Sequence, residues 1–591
     1  MKNELKNDPL MPIRHSAEHI LQLVVEKLLG AKKVMGPAIE TGFYGDFDGK
    51  ISEDDLTKIQ DEMTEVIKKD LPIKTSEISY EEAKEIFKDN KFKLEIIEDV
   101  NTRGEKVGIC EIGTKGDEYY DIDICGGGHV ESTGKINAKA IKLLSIAGAY
   151  WRGDSNKEML TRVYGTAFNT EEELNVHLEK LEDAKRRDHR KLGKELDLFT
   201  FSDLVGSGLP LYTPKGAFIR RTINNFVEES QSELEYTQVW TPQIAKADLF
   251  KKSGHYDKYK EDMFRVVSNY SDEEFFLKPM NCPHAAEIYA SKPRSYRDLP
   301  IRLTDFAMLY RDEKPGELNG LARVRSFSQD DCHVYCREDQ VDFEIDMMLQ
   351  MTKKVMQTFG FKYRYRLSTR DPQHPEKYLG DPKVWDKVEK WAVEIMERNE
   401  IEYYDGPGEA AFYAPKMDLM ATDAMGREWQ LSTVQIDFVQ PERFDLTYTN
   451  NEGTKSRPVT IHRAIAGSAE RLMSVLIEHY AGAFPNWLSP VQVCIIPIGE
   501  KHVDYAKKVA LELKNAKIRY VLEDKNETMQ IKIRNAQNQK IPYMFIIGDR
   551  EIENNEISVR LRTNESKGSL KTTEVISKIK EIELTKGVDL W

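Results

Sequence analysis

Two short patterns carry residue types suited to chemistry. The first is His15-x-x-x-His19, which puts two imidazoles one helical turn apart. The second is Cys125-Gly-Gly-Gly-His129, a thiol and a third imidazole on a glycine turn after a strand-like segment. Together they supply four donors of the kind zinc takes. With Asp123 nearby they would equally furnish a metal-free hydrolytic pocket built on His, Cys and carboxylate. A third stretch, LYRDEKPGELNGLARVRSFSQDDCHVYC (309–336), crowds arginine, carboxylate, aromatic, Cys and His around a Pro/Gly loop. Loops flanked by apolar β-prone segments read as hairpins. One lined with guanidinium forks suits a polyphosphate.

The elements that must position these residues divide into several units. At roughly 100–200 residues per domain, 591 residues imply three to five. Residues 1–170 mix an amphipathic helix, HSAEHILQLVVEKLLG, with strand-like KLEIIED, KVGICEIG, YYDIDIC and AIKLLSIAGAYW, an α+β pattern. Residues 171–195 are highly charged with helical spacing and read as a solvated linker helix. Residues 196–488 hold the arginine hairpin, a long helix from Glu338 to Phe359, further strands, and TIHRAIAGSAERLMSVLIEHY, a strand that turns through Gly467 and Ser468 into a helix bearing Arg471. Phosphate is favoured at such a helix start. Residues 489–591 alternate βαβαβ and predict a parallel sheet, with no Gly-rich dinucleotide fingerprint after the first strand.

The formal charge of −14 argues against indiscriminate coating of nucleic acid, though not against local basic patches. No segment approaches a transmembrane run, and the polar N-terminus lacks a secretory h-region. Six cysteines in so long a chain make no disulfide framework, so a reducing, cytoplasmic setting is expected.

The chain resembles the class II aminoacyl-tRNA synthetases, and most closely those of the threonyl type. Three ordered motifs carry the resemblance: Pro242 in YTQVWTPQI; Tyr310-Arg311-Asp312-Glu313 followed by Arg323 and Phe327; and Gly467-Ser468-Ala469-Glu470-Arg471. KPMNCPHAAEIY, RVRSFSQDDCHVYC, AFYAPKMDL, LSTVQIDF and VTIHRAIAGSAERL narrow it to the threonyl type. The resemblance implies an antiparallel-sheet catalytic domain at 196–488, an α+β editing domain at 1–170, and a C-terminal α/β anticodon-binding domain at 489–591. It implies ATP-dependent activation of L-threonine through a threonyl-adenylate, transfer to tRNA(Thr), and hydrolysis of mischarged seryl-tRNA(Thr).

It also implies roles for individual residues. Arg311 clamps the α-phosphate and carboxylate, while Arg323 and Arg471 clamp the outer phosphates. Phe327 stacks on adenine, Glu313 reads its amino group, and Gln430 and Gln435 line the site. Cys282, His333 and His462 hold one Zn2+, with Gln329, Asp331, Tyr413 and Lys416 around the threonine. Mg2+ accompanies ATP, and His255 is a candidate for assisting transfer. His15, His19, Lys93, Asp123, Cys125 and His129 form the editing pocket; its metal content is left open. Asn526, Glu551 and Arg560 read the anticodon. A homodimer through the first motif is expected.

The chain also departs from its relatives. It begins too near His15 to hold the ubiquitin-like domain many of them carry, so that domain is expected to be absent. NCPH has a single histidine, and Gln530 stands where glycine is common. A prolyl- or seryl-type synthetase, a non-charging RNA-binding relative and a free-standing deacylase are the alternatives. The Cys282/His333/His462 set speaks against prolyl, and the retained motif arginines against a non-charging protein.

Overall fold

The computed structural model describes residues 8–154 and 156–591. The chain forms two compact units, 1–182 and 183–591.

The N-terminal unit is built around the helix Met11–Leu29, which has Pro12 in its first turn and is capped by Gly30 in the left-handed region (φ 65°). Its core face (Ala17, Ile20, Leu21, Val24) is fully buried. A five-stranded antiparallel sheet packs against it, with main order Lys32–Met35, Gly42–Asp48, Met159–Ala167, Ile141–Tyr150. A separate three-stranded sheet joins Ile73–Ile78, Val107–Ile112 and Asp121–Ile124. KLEIIED is a helix, not the expected strand. Lys91–Thr102 is capped by Asn90, whose side chain accepts from the Phe92 and Lys93 amides. Phe92, Lys93 and Ile97 turn inward at helical spacing. The cap and that periodicity outweigh the β-branched pair Ile96-Ile97.

Residues 171–195 are two helices, Glu171–Arg187 and His189–Glu195, rather than one. Asp188 interrupts them and caps the second by accepting from the Arg190 amide. The second helix is not solvated throughout, since His189, Leu192 and Leu196 are buried.

The larger unit contains an eight-stranded sheet: β1 (Thr237–Gln238), β2 (Ile301–Tyr310), β3 (Ser326–Cys336), β4 (Lys362–Thr369), β5 (Tyr403–Pro407), β6 (Lys416–Thr422), β7 (Glu428–Asp437) and β8 (Val459–Ser468). Their order is β1-β2-β3-β8-β7-β6-β4-β5. The six central strands are antiparallel, and only the edge strands β1 and β5 run parallel to their neighbours. Val341–Thr358 and Ala469–His479 cover the sheet, the latter burying Leu472, Met473, Val475, Leu476 and Ile477. Removing one such side chain, as in Leu476→Ala, would cost about 2–5 kcal/mol.

Toward the C-terminus Tyr520–Leu522, Val493–Pro497 and Tyr543–Ile547 pair in parallel, as the alternation predicts. Two antiparallel strands, Ile557–Leu561 and Ser566–Leu570, extend that sheet and were not anticipated. Among the described residues no helix is long and apolar enough to cross a membrane.

Candidate functional site

The strand register sets the main site. β3 and β8 place His333 directly opposite His462. β7 adds Gln435 opposite His462, and β6 adds Lys416 opposite Gln435. A row of four polar side chains thus crosses four strands. Cys282 enters from the first turn of the helix Cys282–Ala290. The donor atoms of Cys282, His333 and His462 lie within 4.8 Å of one another, and all three residues are buried.

His462 Nε2 lies 2.7 Å from a carboxylate oxygen of Asp437, which is wholly buried. That contact fixes the tautomer with the proton on Nε2 and leaves the Nδ1 lone pair free. His462 Nδ1 and His333 Nε2 are buried without a partner. Burial drives the Cys282 thiol well above, and the His333 imidazole well below, their ordinary values. Two orphaned ring nitrogens and a thiol converging in a dry pocket fit a tetrahedral metal ion with one position left open. Thr241, next to Pro242, braces this wall by bonding Asn281 Oδ1 (2.6 Å) and Asp305 Oδ2 (2.7 Å).

Beside the metal-type cluster lies a cavity of about 200 Å3 lined by Arg311, Glu313, Arg323, Phe327, Gln329, Gln430, Gly467 and Arg471, among others. The Arg311 guanidinium sits 5.1 Å from the Phe327 ring centre. Burial, and then the positive charges of Arg311 and Arg323, hold Arg471 below its ordinary value. Like charges held together this way are relieved by a polyanion. Arg323 is half satisfied already, pairing with Glu313 (2.7 Å) and Glu317 (2.8 Å). Gly467 adopts φ +62°, and a Cβ there would meet the Leu431 carbonyl at 2.5 Å. Its glycine is therefore demanded by strand packing as much as by ligand approach.

His255 is wholly buried, its Nδ1 2.7 Å from Ser253 Oγ and its Nε2 without a partner. Its ring centre is 6.4 Å from that of Tyr413. Burial lowers it to about 3, so it is a neutral base at neutral pH. Tyr413 packs 5.0 Å from the His462 ring, and Asp331 lies 3.8 Å from His333 Nδ1.

Three supporting groups had no role assigned from sequence, although Glu470 belongs to the third motif. Glu470 (2% exposed) accepts from the Ser328 amide at 2.8 Å and pairs with Arg220, tying the third motif to the second. Asp418, wholly buried, accepts from Arg366 and from Gln430 Nε2 at 2.9 Å and so aims Gln430 into the cavity. Asp437 orients His462. It lies two residues after Gln435, on the same strand face, and that spacing was the available signal.

The N-terminal unit assembles its own cluster. His15, His19, Cys125 and His129 bring their donor atoms within 4.8 Å of one another. Here Cys125 and His129 are already occupied, while His19 Nδ1 is buried without a partner. His129 Nε2 lies 3.0 Å from Cys125 Sγ, and its Nδ1 lies 3.2 Å from Ser16 Oγ. Cys125 Sγ also accepts the Gly127 amide at 3.2 Å and lies 3.6 Å from His15 Nε2. Gly127 and Gly128 (both φ 87°) make the turn that allows this. Lys93 and Asp123 form an ion pair at 2.5 Å, with side chains 2% and 1% exposed. Burial lowers His129 to about 3 and raises Cys125 to about 11. Burial pushes Asp123 upward, but Lys93 and the other cations around it hold it below its ordinary value. The pocket therefore presents neutral imidazoles, a neutral thiol and one ion pair. Glu18, wholly buried and bonded to Gln22, is a further member that sequence did not single out.

The C-terminal residues are dispersed. Asn526 is exposed in a loop. Glu551 caps its own helix by accepting the Gly548 amide (2.9 Å), and Arg560 donates to Asn564 (2.8 Å). No hydrogen bond or ion pair joins the three among the described residues.

Three stretches of the chain match known family models. Residues 264–480 match the tRNA synthetase class II core domain (G, H, P, S and T), 492–582 the anticodon binding domain, and 107–164 the threonyl and alanyl tRNA synthetase second additional domain. A threonine–tRNA ligase of Rubrobacter xylanophilus is 46% identical over 558 residues, covering 94% of this chain and 85% of its own. One from Staphylococcus aureus is 45% identical over 585 residues, covering 98% and 89%. The solved RNA binding domain of threonyl-tRNA synthetase from Cryptosporidium parvum superposes with a TM-score of 0.64 at 38% identity, covering 67% of this chain and 98% of that one. At these identities and lengths, the chain belongs to the threonine–tRNA ligase family of class II aminoacyl-tRNA synthetases.

Proposed function

We propose that this enzyme joins L-threonine to tRNA(Thr) in two steps and clears seryl-tRNA(Thr) in its N-terminal unit. ATP occupies the arginine-lined cavity, with Phe327 against adenine and Glu313 at its amino group. Arg311, Arg323 and Arg471 neutralise the phosphates, aided by Mg2+ carried with the nucleotide. The threonine carboxylate attacks the α-phosphorus and pyrophosphate leaves; positioning and charge neutralisation supply most of the catalysis. Cys282, His333 and His462 would hold Zn2+, which would supply Lewis-acid ligation to the amino and hydroxyl groups of threonine. Gln329, Asp331, Tyr413, Lys416 and Gln435 surround the amino acid. His255 is a candidate to assist transfer to the tRNA as a neutral base.

The observation that carries this reading is the convergence of three motif arginines on one cavity beside a buried Cys–His–His cluster. A site that ligates a hydroxyl rejects valine strongly. Serine, lacking only a methyl, is rejected about 10–200-fold at most, so a second hydrolytic site is needed. Ser16 on His129 Nδ1 and the Gly127 amide on Cys125 Sγ take up donors of this cluster, which favours water-mediated deacylation. Lys93 and Asp123 supply the fixed charges, and His15, His19 and His129 supply neutral bases.

Asn526, Glu551 and Arg560 are assigned to the anticodon, since unpaired bases are open to side-chain readout. Homodimerisation through the first motif is supported by Trp240, which is 73% exposed beside edge strand β1. A cytoplasmic setting accords with six buried, unpaired cysteines. Amino-acid-dependent ATP–pyrophosphate exchange tests the core assignment. Threonine should support strong exchange, serine weaker and valine almost none. Exchange with proline, or with no amino acid at all, overturns it.

A further inference from the structure

Outside both clusters, one buried titratable pair without a role in the chemistry is bonded to the loop whose next residue, Ala322, lines the ATP cavity. His189, on the short helix His189–Glu195, is 3% exposed. Its Nδ1 lies 2.6 Å from Glu478 Oε1, and its Nε2 accepts the backbone N–H of Leu321 at 3.1 Å. An acceptor at Nε2 requires the proton on Nδ1, so the ring donates to Glu478 and accepts from Leu321. Both nitrogens are spent. The grouping of Asp188, His189 and Glu478 is therefore a hydrogen-bonded strut and not a metal site.

The strut joins two walls of the cavity. Leu321 closes the loop of the arginine hairpin. Its neighbour Ala322 lines the cavity and offers its carbonyl to Arg471 Nε (3.4 Å), and Arg323 follows directly. The fit is close on the same side: Gly320 has φ +48°, and a Cβ there would lie 2.1 Å from His189 Nε2. On the other side, Glu478 ends the helix that begins at Ala469 and carries Arg471. Glu478 also pairs with Arg427, which pairs with Asp423 at 2.7 Å. Asp423 accepts from Trp429 Nε1 at 2.9 Å, one residue before Gln430. Burial pushes the Glu478 carboxyl up, but the His189 bonds and Arg427 keep it below the ordinary carboxylate range.

We propose that His189 is a positioning residue for ATP, holding the arginine-hairpin loop and the Arg471 helix at the spacing the nucleotide needs. The inference rests on the assignment of ATP to this cavity. Removing the ring leaves the Leu321 amide without its buried partner, while Glu478 keeps only Arg427 and the His189 backbone amide.

The test is threonine-dependent ATP–pyrophosphate exchange by full-length His189→Ala, His189→Gln and Glu478→Gln, with rates normalised to titrated active sites. His189→Ala should raise the KM for ATP by about tenfold, with a smaller change in kcat and an unchanged KM for threonine. His189→Gln, which keeps a donor and an acceptor, should recover part of the loss, and Glu478→Gln should fall between it and wild type. A lowered active fraction with unchanged KM for ATP in all three would mean a merely structural role and overturn the proposal. Should His189→Ala fail to fold, the two conservative variants still decide it by the same KM criterion. Absence of exchange in wild type would instead overturn the ATP assignment itself.

Discussion

The two His/Cys clusters are built from the same kinds of side chain but leave different atoms free. Around Cys282 the ligands come from a helix start and two facing strands. Two ring nitrogens are left bare, and a buried carboxylate fixes one tautomer. Around Cys125 the donors come from one helix and a glycine turn; Cys125 and His129 are consumed by each other, by Ser16 and by the backbone, and one ring nitrogen, His19 Nδ1, is left bare. Residue type does not separate a metal centre from a hydrolytic pocket. The number of donors left unsatisfied does, because a buried nitrogen without a partner is costly unless a ligand completes it.

The sharpest way to break this contrast is to remove one member of the first cluster. His333→Ala should abolish threonine-dependent exchange by at least about a thousandfold, while seryl-tRNA deacylation persists. Normal exchange in that variant would sever the metal-type cluster from threonine activation. In the N-terminal unit, Lys93→Ala strands Asp123 as a buried, unpaired charge and should cost about 3–5 kcal/mol of stability together with deacylation. A melting curve that does not move would show that the pair is dispensable. Cys125→Ala should slow deacylation by about 10–100-fold and leave charging intact, so that seryl-tRNA accumulates. Unchanged deacylation would take the thiol out of the pocket.

The smallest effect is one of pH. His129 and His255 are each lowered to about 3, and His284 to about 4, by burial. An unfolded histidine takes a proton near 6.5, so below that value protons bind the unfolded chain and not these buried rings. Stability is therefore fully present above about 6.5 and is lost as pH falls toward 3. Thermal melts at pH 7.5 and 5 should differ by several degrees, with the lower pH less stable; equal melting temperatures would argue that these rings are protonated when folded.

Much of this was legible in the sequence where chemistry is local. His15-x-x-x-His19 and Cys125-x-x-x-His129 are each one turn or one loop, and the structure brings them together. The arginine hairpin is continuous in sequence, and its residues line one cavity. The triad of Cys282, His333 and His462 came only through resemblance, because a facing-strand register joins residues more than a hundred positions apart. KLEIIED was misread because two isoleucines suggested a strand, while the Asn90 cap and inward spacing of Phe92, Lys93 and Ile97 dictated a helix. His189 was hidden by charged neighbours, although Leu192 and Leu196 follow it at three and seven residues, the spacing of a buried face. Supporting carboxylates such as Asp418 and Asp437 lie in strings that carry the resemblance, but their role exists only once the strands are paired.

The central claim is that one cluster is a metal centre and the other is not. It is tested most directly by the zinc content of purified wild type, Cys282→Ala and Cys125→Ala. About one zinc per subunit is expected in wild type and in Cys125→Ala, and almost none in Cys282→Ala. Zinc retained in Cys282→Ala but lost from Cys125→Ala would reverse the assignment of the two sites.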